Sequence, residues 1–116
     1  MKKINILKSS RDFDRIIKNN KPYIYKDYII YIERDTNEIF KFGISVGKKL
    51  GNAVTRNKIK RQLKAIINQN DYQNSFNCII IVGKGINEKS FIERKENLLI
   101  ALKNLNIIKE NKDEKK

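Results

Sequence analysis

The chain has 116 residues, 34% of them charged and 40% hydrophobic, with a formal net charge of +13. It contains no histidine and one cysteine, Cys78, which excludes histidine general bases, Ser-His and Cys-His nucleophile pairs, an intrachain disulfide and a cysteine-built metal cluster. The length suits a single domain, 1–116, and the positive balance points to a polyanionic partner.

The opening "MKKINILKSSRDF" is basic but lacks the apolar stretch of a secretory signal. No apolar run approaches the about 20 residues of a membrane span. The expectation is a cytoplasmic protein with no membrane partner. Ser9 or Ser10 caps a short helix carrying Phe13, Ile16 and Ile17 at helical spacing, which ends before Lys21-Pro22. Tyr23 to Tyr25 is extended and adds to the strand that follows, "KDYIIYIER". Alternation puts Tyr28, Ile30 and Ile32 on one face of that strand and Ile29, Tyr31 and Glu33 on the other. "DTNE" is a turn.

"FKFGISVG", residues 40–47, is the clearest strand. Phe40, Phe42, Ile44 and Val46 point one way and build a core. Lys41, Gly43, Ser45 and Gly47 point the other way. That second face is small, polar and basic, so it is expected to carry no helix and to leave a shallow surface for a ligand. A helix then runs from about Asn52 to Ile67, with Ile59, Leu63, Ile66 and Ile67 as its apolar stripe. "CIIIV", 78–82, reads as a central strand buried on both faces, with Cys78 as a small hydrophobe. "GKGIN" is a loop. A last helix from about Glu88 to Asn106 carries Phe91, Leu98, Leu99, Leu102 and Leu105, and residues 109–116 form a frayed charged tail. The order α-β-β-α-β-α predicts an α+β sandwich: one small mixed sheet packed with helices.

Charge is unevenly placed. Between Glu38 and Asp71 there is no acid, while Lys41, Lys48, Lys49, Arg56, Lys58, Lys60, Arg61 and Lys64 all fall there. Lys60, Lys64, Asn57 and Arg61 lie beside the apolar stripe of the second helix, with Arg56 at its edge. About 22 Å of helix spans several phosphate spacings. Like charges repel on a helix, and a bound polyanion relieves that repulsion. The preceding "KKLGN" adds two lysines and a helix N-terminus, a further anion site. "GISVGKK" does not fit a phosphate-binding loop, because its glycine spacing is short and Lys49 stands where Ser or Thr belongs. "GKG" at 83–85 is a plain turn. Phe13 and Tyr31 are open to two readings, core or stacking platform for bases.

The stretch "FGISVGKKLGNAVTRNKIKRQLK", Phe42 to Lys64, closely resembles the signature of the protein subunit of bacterial ribonuclease P, and "LKSSRDFDRIIKNNK" is similar to that family's opening helix. The resemblance implies a sandwich whose second helix lies in a left-handed βαβ crossover, against the usual hand. It implies two partners, a catalytic RNA and the 5′ leader of precursor tRNA. It implies that the RNA performs the cleavage with Mg²⁺, so that the protein supplies no catalytic residue and binds no cofactor or metal itself. Carried over by position, Lys48, Lys49, Arg56, Asn57, Lys58, Lys60, Arg61 and Lys64 face RNA phosphates. Phe13, Ile17, Ile29, Tyr31, Lys41 and Ser45 line the leader cleft. Lys58 and Lys64 stand where the family has arginine, which keeps the charge and loses the bidentate fork. Ile17 stands where a second aromatic often lies, and Ala65 replaces a commonly acidic residue.

Three rival readings share parts of this pattern. A ribosomal or other structural RNA-binding protein has the same charge without dependence on a tRNA leader. A DNA-binding helix protein calls for a helix-turn-helix pair that the sequence lacks, so DNA is not an expected partner. A self-sufficient nuclease calls for a carboxylate metal cluster that the sequence does not suggest.

Overall fold

The computed structural model describes residues 2–36 and 39–109. Residues 37–38 of the expected turn and 110–116 of the expected tail therefore lie outside the described residues. Helix α1 spans Ser10–Asn19, α2 Ala53–Ile67 and α3 Phe91–Asn104; strands are β1 Tyr23–Tyr25, β2 Tyr28–Arg34, β3 Lys41–Ser45 and β4 Phe76–Val82. The sheet is four-stranded, ordered β1-β2-β4-β3. β2 runs antiparallel to β1 and β4, while β3 runs parallel to β4. The parallel pair is joined through α2, the connection a parallel neighbour requires.

Cross-strand register sorts the side chains onto two faces. Ile32–Cys78–Phe42 and Ile30–Ile80–Ile44 are rows on one face; Glu33–Asn77–Lys41, Tyr31–Ile79–Gly43 and Ile29–Ile81–Ser45 are rows on the other. The first face meets α2 and α3. Tyr28, Ile30, Phe42, Cys78 and Ile80 pack there against Ile59, Leu63, Ile66 and Ile67 of α2 and Leu98, Ala101 and Leu102 of α3. The apolar stripe expected on α2 is buried in full. Phe40, Phe42, Tyr72 and Phe76 form an aromatic cluster at one end, Phe42 meeting Tyr72 edge to face at 4.8 Å between ring centres. Burial pushes the Cys78 thiol well above its ordinary range, which leaves it an inert core side chain.

Several local expectations need correction. Tyr23–Tyr25 is a separate strand, turned back onto β2 at Lys26, whose φ is 52°. "GKGIN" is a 3₁₀ turn over Lys84–Glu88, and its Ile86 is wholly buried. The last helix begins at Phe91, not Glu88, because Ser90 forms a capping box: its hydroxyl accepts from Glu93 N, and the Glu93 carboxylate accepts from Ser90 N. Phe91 thus falls in the first turn, outside the packed stripe, and is 42% exposed, while Ala101 joins the buried side chains. The second sheet face is not free of helix either, since α1 lies across part of it and buries Ile16 against Ile79 and Leu7.

Candidate nucleic-acid interface

The basic block begins at a turn that glycine alone accepts easily. Lys48–Leu50 is a 3₁₀ turn, and Gly51 follows with φ 142°. A Cβ at Gly51 would stand 2.9 Å from Thr55 Cγ2, so the position is closed to larger residues by conformation and by space. Asn52 then caps α2, its side-chain oxygen accepting from Thr55 N at 2.9 Å. The result sets exposed Lys48 and Lys49 beside the N-terminus of α2. Arg56 Nε donates to the Gly51 carbonyl at 3.2 Å, so this candidate phosphate ligand also latches the turn.

Along α2, Asn57, Lys58 and Arg61 are exposed, while Arg56, Lys60 and Lys64 are half-buried at the margin of the packed stripe. The helix carries no acidic residue in its first turn and Lys64 in its last. The side chains of the expected basic band are thus exposed or half-buried from the glycine turn to the last turn of α2.

The second candidate surface is the sheet face under α1. Ser9 caps α1, accepting from Asp12 N at 3.4 Å. Phe13, Ile17, Tyr31 and Ile81 are half-buried around the small cluster of Leu7, Ile16 and Ile79. The Phe13 ring stands directly on Gly43, where any Cβ would collide with it. Phe13 and Tyr31 are thus neither full core nor free platforms. Each is anchored on one side and exposed on the other. Ile29 lies in the next row with Ile81 and Ser45, and this row is half-buried.

A groove of about 340 Å³ joins the two surfaces. It is lined by Lys8, Ser10, Phe13, Asp14, Ile44, Ser45, Val46 and Lys60. Phe13 and Ser45 from the expected cleft thus meet Lys60 from the basic helix. Lys41 is separated from them. It lines a second hollow of about 420 Å³ at the other end of the face, with Asp12, Arg15, Glu33 and Asn77 among its neighbours.

The sequence reading missed Lys8 and Asp14 as groove residues and missed the ion-pair network at the far end. Arg15 forks onto Glu33, with Nε to Oε2 at 3.2 Å and Nη2 to Oε1 at 3.0 Å. Asn77 Nδ2 adds a bond to Glu33 Oε1 at 2.8 Å. The Arg15 hydrogen bond holds the Glu33 carboxyl below its usual range. A lone carboxylate on a face otherwise read as basic was the signal available. Among the described residues, no group of three His, Cys, Asp or Glu side chains is placed to hold a metal ion.

A family model described as Ribonuclease P matches residues 1–106. The chain is 38% identical over 104 residues to a ribonuclease P protein component of Streptococcus pyogenes, covering 89% of this chain and 87% of the relative. It is 36% identical to that of Streptococcus agalactiae, covering 89% and 95% respectively. Among solved structures, the RNase P protein of Staphylococcus aureus superposes with a TM-score of 0.81 at 28% identity, covering 90% of this chain and 98% of that one. The RNase P protein of Thermotoga maritima gives a TM-score of 0.75 at 28% identity, covering 84% and 94%.

Proposed function

This chain belongs to the ribonuclease P protein family, and from that premise we propose a division of RNA recognition between its two exposed surfaces. As a family member it is the protein subunit of an endoribonuclease of tRNA processing, partnered with ribonuclease P RNA, and it is not the catalyst. In our reading, the arc from Lys48 and Lys49 through Arg56, Asn57, Lys58, Lys60, Arg61 and Lys64 lies against phosphates of the catalytic RNA. The 5′ leader of precursor tRNA runs through the groove beside α1, over Phe13, Ile17, Tyr31, Ile29 and Ser45, toward Lys41. On this reading the RNA would hold the Mg²⁺ that the cleavage needs, and the protein's part is to bind and orient the leader. On this reading the chain works in the cytoplasm with its substrate.

The observation that carries this reading is the meeting of Phe13, Ser45 and Lys8 at one groove, whose far wall is Lys60 of the basic helix. An aromatic face, a small polar strand and a cation are what a flexible single strand needs: a stacking surface, room for the backbone and a phosphate partner. Half-burial of Phe13 suits the role, because the ring is already ordered before the strand arrives and little entropy remains to be lost.

The test is cleavage of precursor tRNA by ribonuclease P RNA at low Mg²⁺, with and without this protein. The expected result is stimulation that grows with leader length and levels off once the groove is filled. Stimulation independent of leader length would contradict the placement of the leader on the sheet face. Absence of stimulation with RNA binding intact would favour a structural RNA-binding role.

A further inference from the structure

Helix α1 is weakly seated for an element that walls a binding groove. Ile16 is its buried residue, and Phe13 and Ile17 are only partly covered. Apolar packing of this kind resists removal of the helix, but it resists sliding and rolling much less, because dispersion contacts are non-directional. The height of α1 over the sheet decides how far the Phe13 ring stands from Ser45 and Lys60 across the groove.

One set of directional contacts fixes that height. The Arg15 guanidinium meets both oxygens of Glu33 on β2, in the planar fork geometry that specifies orientation as well as distance. Asp12, one turn earlier on α1, accepts from Arg15 Nη1 at 2.6 Å and pre-aligns it. Behind Glu33, the Asn77 amide on central strand β4 donates at 2.8 Å. Asn77 is 7% exposed, and its buried Oδ1 has no hydrogen-bond partner among the described residues. The amide therefore leaves one polar atom unsatisfied while supplying Glu33 with its second donor. Helix α1 and the two inner strands, β2 and β4, are linked in a row.

We propose that Arg15, Glu33 and Asn77 are positioning residues that hold α1 at the height where Phe13 can receive the leader. The proposal rests on the leader reading above. It makes Glu33 an acid that helps RNA binding without touching RNA, which inverts the ordinary expectation: deleting a negative charge beside a polyanion site strengthens binding.

That inversion is the test. The holoenzyme, reconstituted with ribonuclease P RNA, is titrated with precursor tRNA and with leaderless tRNA for the wild type, Glu33→Ala, Arg15→Ala, the double variant and Phe13→Ala. The clamp predicts that Glu33→Ala weakens precursor binding by roughly two- to thirtyfold, leaves leaderless tRNA unchanged, and that the double variant is no worse than either single one. Precursor binding that is equal or stronger in Glu33→Ala, with loss in Phe13→Ala, overturns the clamp and leaves the leader groove standing. Additive losses in the double variant also overturn it, since Arg15 would then act on RNA directly. A wild-type precursor preference in Phe13→Ala removes the leader reading and the clamp together. Should Glu33→Ala melt below the assay temperature, Glu33→Gln keeps the side-chain volume and carries the same prediction at smaller amplitude.

Discussion

The two faces of the sheet carry side chains from the same strands and treat them in opposite ways. On one face, α2 and α3 bury Ile30, Phe42, Cys78 and Ile80 with the apolar stripes of both helices. On the other, α1 and Leu7 before it cover Ile79 and leave Phe13, Ile17, Tyr31 and Ile81 half-open. A shared backbone thus supports a core on one side and a half-open surface on the other. The difference lies in the size of the residues on β3. Phe42 faces the core; Gly43 and Ser45 face the groove, where Gly43 gives Phe13 a seat and Ser45 leaves a gap. Large side chains interlock on the first face, and small ones leave room on the second.

That contrast is broken most forcefully from the core side. Leu63 is fully buried between α2 and the sheet. Leu63→Ala is expected to cost about 2–5 kcal/mol in denaturant unfolding. A loss well below that range would show that the core face is loosely filled and that the faces differ less than their burial suggests.

The smallest effect belongs to the groove side. Arg15 lowers the folded pKa of Glu33, so the Glu33 carboxylate stabilises the folded state above the ordinary carboxylate range, and this contribution disappears as pH falls through its folded value. Exposed ion pairs contribute little, and Arg15 is 44% exposed. Glu33→Gln is therefore expected to lower the melting temperature slightly at neutral pH, with the wild-type and variant curves converging as pH falls. A gap that persists at acid pH would mean that the variant disturbs packing and not charge.

Much of this division is legible in the sequence. Alternation in "FKFGISVG" assigns the faces of β3, and the 3.6-residue spacing of Ile59, Leu63, Ile66 and Ile67 assigns the buried side of α2, because both patterns are set by backbone geometry alone. The basic band is legible for the same reason. Other features depend on tertiary register. Glu33, Asn77 and Lys41 become neighbours only when β2, β4 and β3 pair in their actual alignment, and Arg15 reaches them only across the helix–sheet gap. Burial of "CIIIV" on both faces already calls for cover on the second face, but at β3 itself Gly43 and Ser45 leave no apolar stripe to announce a helix, although small residues are what allow an aromatic ring to approach a strand. Helix α3 starts at Phe91 and not at Glu88 because the capping box at Ser90 fixes its first turn.

The central claim, that the open face receives the leader, is tested most directly by comparing holoenzyme affinity for precursor and leaderless tRNA in the wild type and Tyr31→Ala. Tyr31 lies beside Ile79 and Gly43 on the open face, away from the basic band of α2. The account predicts a wild-type preference for the precursor that shrinks in Tyr31→Ala, with leaderless binding unchanged; base stacking on an aromatic ring contributes about 1–3 kcal/mol. An undiminished preference in a folded Tyr31→Ala holoenzyme would contradict it.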